Sequence, residues 1–518
     1  MTRLTYPDVP LHALMQASAR RHPNRTALKF GDRTITFARF DEESNRLARG
    51  LRAIGLRQGD RLGVFLPNCP ECEFGFYAAS KLGAIATPLN PSYTVREIAY
   101  QLNDAGATVL LTHERLWPVV EAARQQLSSV KSIVVVGRPS NDDPPDVHSY
   151  AQVTASQSAG PLETKVHPDE LVALPYSSGT TGLPKGVMLT HRNLVCNHIQ
   201  FSTAAGLGPD DTYLVYLPLS HIYGVALMGL ALHSGATQIV LERFDLDTVT
   251  KLIATEKVTI LYVVPPVLLA LANASHLTPE GFRTLRYMLS AAAPLAPDVA
   301  RRVEQRFGVP VIQAYGMTEA SPDTHHSPLE REQIRLESVG VPVADTEQRV
   351  VDVAESGQVL GPGEIGEIMV RGPQVMRGYW NAPEETARAL EDGWLHTGDI
   401  GYIDTDGYLY IVDRKKEMIK YKSFSIAPAD LEAVLVQHPD VADCAVVGVP
   451  DAECGELPKA FVVPRSGATI DEGTLDRFVA ERVAGYKRIR FFETVTAIPR
   501  TPSGKILRRI LKQTATST

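Results

Sequence analysis

The sequence predicts an α/β fold: a large N-terminal domain of helix-covered, largely parallel sheets, followed by a smaller domain. Three observations predict it. Short β-branched or aliphatic runs alternate with helical periodicity along most of the chain, a pattern that buries parallel strands between helices. The 518 residues supply chain for about three or four domains of average size. The charge balance also changes around residues 413–416. Residues 1–413 carry 35 basic and 46 acidic side chains (net −11), whereas residues 414–518 carry 17 and 13 (net +4). An acidic domain over 1–413 and a basic one over 414–518 account for the change, as does a solvated basic surface without functional meaning.

The elements follow in order. Phe40, Leu47, Leu51 and Ile54 share one face of a helix that stops near Gly55. A strand over 61–66, a helix to about Leu82 and a short apolar run over 84–88 come next. Further strands are predicted over 109–112, 133–136, 171–176, 237–241, 258–264, 287–290 and 311–315. Residues 137–169, rich in Pro, Ser and Asp, read as a surface loop or connection. The nearest approach to a membrane span, residues 261–272, is broken by two prolines and falls short of the roughly 20 residues a span needs. Residues 1–10 lack the apolar stretch of a signal peptide, and five cysteines do not make a disulfide scaffold. Cys69-Pro-Glu-Cys72 has redox or zinc spacing but no second pair nearby, which favours structural thiols. A net charge of −7 argues against nucleic-acid or anionic-membrane binding, both of which favour clustered positive charge. A soluble cytoplasmic protein is expected.

The segment Tyr176-Ser-Ser-Gly-Thr-Thr-Gly-Leu-Pro-Lys-Gly-Val-Met-Leu-Thr-His191 carries the most chemistry. Glycines such as Gly179 let the backbone bring N–H groups close to an anion. Ser177, Ser178, Thr180 and Thr181 add hydroxyl donors, and Lys185 adds a cation. The spacing is not that of a Walker A loop. Here the chain resembles the adenylate-forming (AMP-binding) superfamily of acyl-CoA synthetases, adenylation domains and firefly-type luciferases, and above all the 4-coumarate–CoA and fatty acyl-CoA ligases. The resemblance implies that a carboxylic acid is joined to AMP from Mg-ATP with release of pyrophosphate. The acyl group then passes to coenzyme A, and a mobile α+β C-terminal domain serves both steps.

The other motifs extend the resemblance. Gln313-Ala-Tyr-Gly-Met-Thr-Glu319 matches the adenylate-binding motif, which makes Gln313, Ala314, Tyr315, Gly316, Met317 and Thr318 nucleotide neighbours. Tyr315 is then expected to stack on adenine, Thr318 to meet the α-phosphate and Glu319 to hold Mg²⁺, a hard cation that takes oxygen ligands. Ser290-Ala-Ala-Ala-Pro-Leu295 is similar to the segment between adenine (Ala292, Ala293, Pro294) and acyl group (Ser290, Ala291, with Ala314). Trp394-Leu-His-Thr-Gly-Asp399 matches the motif whose aspartate grips the ribose. Arg414 and Lys420 match AMP contacts, Lys416 the hinge, and Lys422 and Ser423 a Lys-Gly pair near the pantetheine path. Lys505, in Pro499-Arg-Thr-Pro-Ser-Gly-Lys505, matches the adenylation lysine, whose ammonium opposes the charge that builds on phosphoryl oxygens. No general base is needed, because a carboxylic acid of pKa about 4–5 is already ionised at neutral pH. Leu217-Pro-Leu-Ser-His-Ile-Tyr-Gly224 is similar to the acyl-pocket segment, placing His221, Tyr223 and Val225 there; a histidine instead of an aspartate argues for an acid without an α-amino group. Arg243 resembles the residue that reaches a CoA phosphate.

Four residues depart from the pattern. Ala314 and Ala291 replace glycines and narrow the pocket. Asp323 stands where relatives are apolar; a buried carboxylate needs solvent or a polar partner, either a polar group on the substrate or exposure at the pocket mouth. Ser423 replaces a glycine beside pantetheine, which either hinders thioester formation or is tolerated. The expected partners are ATP, coenzyme A and a small carboxylic acid, aryl or medium to long chain. An acyl carrier protein is the alternative acceptor, and a second copy of the chain, in a homodimer, a further partner. Loss of one half-reaction, a luciferase-like oxygenase and a nucleotide-sensing scaffold are the competing functions.

Overall fold

The computed structural model describes residues 3–137, 144–177, 184–353, 357–421, 424–451, 454–501 and 504–515. Two nine-stranded sheets form its larger part. In the first, Thr212–Val215, Thr237–Val240, Ile260–Val263, Tyr287–Ser290 and Val311–Gly316 run parallel, and Asp323–His326 returns antiparallel beside Val311–Gly316. In the second, Arg61–Phe65 lies parallel between Ile85–Pro88 and Ala107–His113. The predicted alternation of strand and helix is therefore the organising pattern of both sheets.

Local chemistry fixes the element ends. Helix Phe37–Ala53 starts where Thr36 accepts from the Arg39 N–H and buries Phe37, Phe40, Leu47 and Leu51. Each such side chain stabilises the fold by about 1.5–3 kcal/mol. Helix Pro70–Leu82 opens on a proline, which needs no N–H partner there, and stops at Gly83 in the left-handed region (φ 66°). Cys69 and Cys72 flank its start and are buried free thiols, which fits the structural reading.

Three differences from the sequence reading have physical causes. The expected loop over 137–169 contains strand Val147–Ser149 and helix Tyr150–Ala155, too short to show a period. The apolar run 261–272 divides at its prolines into strand Ile260–Val263 and helix Pro265–Asn273. The predicted strand over 171–176 is two pieces, Leu171–Ala173 and Tyr176–Ser177, which both pair with Lys185–Thr190.

A third, five-stranded antiparallel sheet follows. In it Trp394–Ile403 lies between Gly366–Arg371 and Leu409–Arg414. The last sheet is built on the long hairpin Val441–Asp451 and Gly455–Pro464, with Ile419–Tyr421, Phe424–Ile426 and Phe491–Thr494 alongside. Helices Pro428–Leu435, Glu472–Ala480 and Arg508–Ala515 accompany it, and its core holds Ile419, Leu431, Val446 and Leu475. No helix among the described residues is long and apolar enough to cross a membrane.

Candidate active site

In open α/β sheets ligands lie beyond the carboxyl ends of the strands, and the predicted residues gather there. Ser290 ends one strand; Val311–Gly316 ends on Tyr315 and Gly316, and Thr318–Ala320 is the turn that follows. Gly316 is required by backbone approach, since a Cβ there would fall 2.1 Å from the Pro322 carbonyl oxygen. Glu319 Oε1 accepts from Ser177 Oγ at 2.9 Å and from the Tyr379 hydroxyl at 3.0 Å. Its other oxygen receives no hydrogen bond among the described residues. Lys185 pairs with Glu385 and lies 5.5 Å from the centre of the Tyr379 ring. Ser178, Gly179, Thr180 and Thr181 lie outside the described residues.

The antiparallel sheet brings in the second half of the site. Asp399 and Arg414 stand opposite one another in the ladder, with Arg414 Nε 3.2 Å from Asp399 Oδ1. The Tyr315 hydroxyl donates to Asp399 Oδ2 at 2.6 Å, tying the end of the parallel sheet to the antiparallel one. Asp399 is buried, and its two oxygens keep lone pairs for further donors. Beside these pairs the Arg414 guanidinium is held above its ordinary pKa, first by Asp399.

Lys505 completes the constellation from the far end of the chain. Its backbone N–H donates to Thr501 Oγ1 at 3.1 Å, and the Thr501 N–H to the Lys505 carbonyl at 2.8 Å. The flanking Gly504 (φ 84°) lies where a Cβ would stand 3.3 Å from Pro266 and Val264, so the loop rests on the large domain. Burial, then the Arg414 charge, pushes the Lys505 ammonium down to about 8, opposed by the carboxylates of Asp399, Glu319 and Glu417. Residues separated by 186 positions, Glu319 and Lys505, thus share one electrostatic site. His221 belongs to it as well: burial and the Lys505 charge hold its imidazole down to about 3. The neutral ring caps helix Ile222–Ser234, Nδ1 accepting from the Tyr223 N–H at 3.2 Å.

The acyl-side candidates fall at the same end. Tyr223, Val225, Ser290, Ala314 and Asp323 are buried. Ala291, Ala292 and Ala293 are half-buried, as is Met317, and Pro294 is exposed; Ala292 takes a positive φ of 72°. The Gln313 side-chain amide donates to the carbonyls of Leu336 and Ser338 at 2.6 and 3.3 Å, so it fastens the neighbouring segment. Asp323 is likewise interior, 3 % exposed, and the alternative of a carboxylate at an exposed pocket mouth is set aside.

Arg243 stands apart. With Asn68, Arg115, Tyr216 and Glu242 it lines a surface cleft of about 250 Å³. Asn68 holds that wall in place, donating to Leu217 and Leu241 carbonyls and accepting from the Leu219 N–H. Lys416 and Lys420 are exposed, Lys420 on the strand Ile419–Tyr421; Lys422 and Ser423 lie outside the described residues. Sequence reasoning missed Tyr379, the second hydroxyl on Glu319, because a lone tyrosine in Gly378–Tyr379 carries no pattern. It also missed Arg508, which joins Glu417 at 2.9 Å and Glu432.

The arrangement brings the carboxylates of Asp399, Glu319 and Glu417, the Arg414 guanidinium and the Lys505 ammonium into one electrostatic site, with hydroxyls on Glu319 and Asp399, which suits a polyphosphate ester with its cation. The sequence matches the model of the AMP-binding enzyme family over residues 15–380 and that of the AMP-binding enzyme C-terminal domain over 430–505. The chain is 40 % identical over 516 residues to 4-coumarate–CoA ligase 2 of Solanum tuberosum, covering 97 % of this chain and 93 % of the relative. The anthranilate CoA ligase AuaEII in complex with anthranoyl-AMP superposes with TM-score 0.91 at 28 % identity, covering 99 % of this chain and 98 % of that one. ATP-bound MatB from Rhodopseudomonas palustris gives 0.88 at 30 % identity, with 98 % and 99 % covered.

Proposed function

The chain belongs to the AMP-binding enzyme family, as an AMP-forming acid–thiol ligase, and from that premise we propose how its residues perform the two half-reactions. The carboxylate oxygen of a small-molecule acid attacks the α-phosphorus of ATP; an O–P bond forms, the bond to the β-phosphate oxygen breaks, and pyrophosphate leaves. The thiol of coenzyme A then attacks the acyl carbon, and AMP departs with the mixed-anhydride oxygen. The observation that carries this reading is the meeting of Lys505 with Asp399, Glu319 and Arg414 in one electrostatic site.

Asp399 accepts from the ribose hydroxyls, and Arg414 orients that carboxylate while facing the phosphates. Tyr315 offers its ring to adenine, and Thr318 and the 177–181 segment meet the phosphates. Lys505 opposes the charge that spreads over the α-phosphoryl oxygens, an interaction worth most where water is excluded. The donor set fits Mg²⁺: a magnesium ion on nucleotide phosphates takes one or two carboxylates and completes its shell with phosphate and water. The free oxygen of Glu319 provides that ligand, with Ser177 and Tyr379 fixing the carboxylate. The ion's chemistry there is neutralisation of phosphate charge.

We place the domain division at residues 413 and 414, with Lys416 as hinge. In support, the strand Leu409–Arg414 of the antiparallel sheet ends at this division, and the next strand, Ile419–Tyr421, pairs within the last sheet. The Arg243 cleft is the proposed entry for coenzyme A, with Lys422 and Ser423 on the pantetheine path; a carrier-protein thiol is the competing acceptor. His221, neutral and capping its helix, lines the acyl entrance with Tyr223 and Val225. The test is pyrophosphate release across a panel of carboxylic acids, followed by thioester formation with coenzyme A. Acid-dependent release followed by CoA-dependent AMP formation is expected, and ATP binding without acid-dependent release contradicts the proposal.

A further inference from the structure

Buried polar groups nearly always have hydrogen-bond partners, so one without a partner asks for an explanation. Asp323 is such a group. It is 3 % exposed, its carboxyl joins no hydrogen bond or ion pair among the described residues, and Oδ2 is wholly enclosed. Asn197 fixes its backbone on both sides, accepting from the N–H at 3.1 Å and donating to the carbonyl at 2.7 Å. The Tyr223 hydroxyl and Ser290 Oγ are also buried without partners among the described residues.

These three orphans share a location. Ser290 ends its parallel strand, Asp323 stands opposite Gly316 at the end of the next, and Tyr223 lies in the first turn of the helix after Thr212–Val215. Burial above all, then Tyr216 and Asp323, pushes the Tyr223 hydroxyl up, and burial likewise pushes the Asp323 carboxyl up. All three are oxygens, and no cation among the described residues pairs with Asp323. We propose that Asp323 and Tyr223 form a polar receptor in the acyl site, selecting carboxylic acids that carry a hydrogen-bond donor, a hydroxyl or amino group, at the end remote from the reacting carboxylate. The inference rests on the acid-activating reading above.

A hydroxyl there donates to Asp323 and accepts from Tyr223, which satisfies both at once; an amino group has donors for Asp323, Tyr223 and Ser290. A bare hydrocarbon end leaves the pair buried and unmatched, the situation in which sites built around a substrate's polar group reject analogues that lack it. The required skeleton is otherwise apolar, as Val225 and Ala314 are.

The experiment measures kcat/KM for pyrophosphate release with matched acids, aryl and straight-chain, ending in hydrogen, hydroxyl or amino. The wild-type protein is expected to favour the donor-ended acid by at least ~10²-fold over its plain counterpart. Asp323→Val is expected to invert that order, whereas Asp323→Asn, which keeps an oxygen acceptor, is expected to preserve the preference for the hydroxyl-ended acid. Tyr223→Phe, which preserves shape, reports the same preference independently of folding at position 323. Equal or greater wild-type activity on the plain acids, or an order unchanged in Asp323→Val, overturns the receptor while leaving the ligase reading intact. Absence of pyrophosphate release with every acid overturns the ligase reading and this inference with it.

Discussion

Lys505 illustrates how one side chain acquires its task from its surroundings. Held down to about 8 by burial and by Arg414, it is an ammonium below that pH and loses its charge as pH rises through it. Adenylation at low ATP is therefore expected to decline above about pH 8, and Lys505→Arg, which cannot deprotonate, to flatten that limb while lowering the rate through altered reach. A pH profile of pyrophosphate release checks both. Asp399→Ala removes the acceptor of Tyr315 and the partner of Arg414. Losing a charged hydrogen-bond partner costs about 1.5–3 kcal/mol, so KM for ATP is expected to rise roughly 10- to 100-fold, measured by initial rates. At this scale the sequence was informative where a residue belongs to a run: Tyr315 and Glu319 lie in one motif, and Asp399 in another. Tyr379 and the interior Asp323 needed the fold, because nothing local announces that a tyrosine will reach a glutamate 60 positions away or that a carboxylate will be enclosed.

Among the elements, parallel strands were legible because burial on both faces makes them continuous apolar runs; 287–290 and 311–315 emerge within a residue of their observed bounds. The antiparallel strands Gly366–Arg371 and Leu409–Arg414 were not read as strands. Leu409–Arg414 mixes buried, half-buried and charged positions, which blurs alternation. The element that decides how Lys505 is carried is helix Arg508–Ala515. Arg508 is buried against Glu417 and Glu432 and donates to the Val446 carbonyl at 3.1 Å. This joins the segment after Lys416, the last sheet and the Lys505 loop into one piece. Removing one partner of a buried ion pair costs about 3–5 kcal/mol. Arg508→Ala is thus expected to weaken the C-terminal domain by that order, seen as loss of hydrogen-exchange protection in Val441–Asp451 and Gly455–Pro464 with the large sheets unaffected. Protection lost equally across both domains contradicts that placement.

For the whole molecule, the question is whether the C-terminal domain serves two half-reactions by turning about Lys416. The charge shift near residue 413 pointed to a division but could not say where Lys505 would rest. That depends on Gly504 against Pro266 and Val264, a contact between distant segments. Proline at 416 fixes φ and removes an N–H, so Lys416→Pro is expected to spare acyl-AMP formation and slow thioester formation by at least ~10-fold if turning is required. The most direct measurement divides the two steps in Lys505→Ala. Acyl-AMP formation from ATP is expected to fall by ~10²–10³-fold, the loss typical of removing one charge-stabilising group, while thioester formation from supplied acyl-AMP continues near the wild-type rate. Undiminished acyl-AMP formation in that variant contradicts the account.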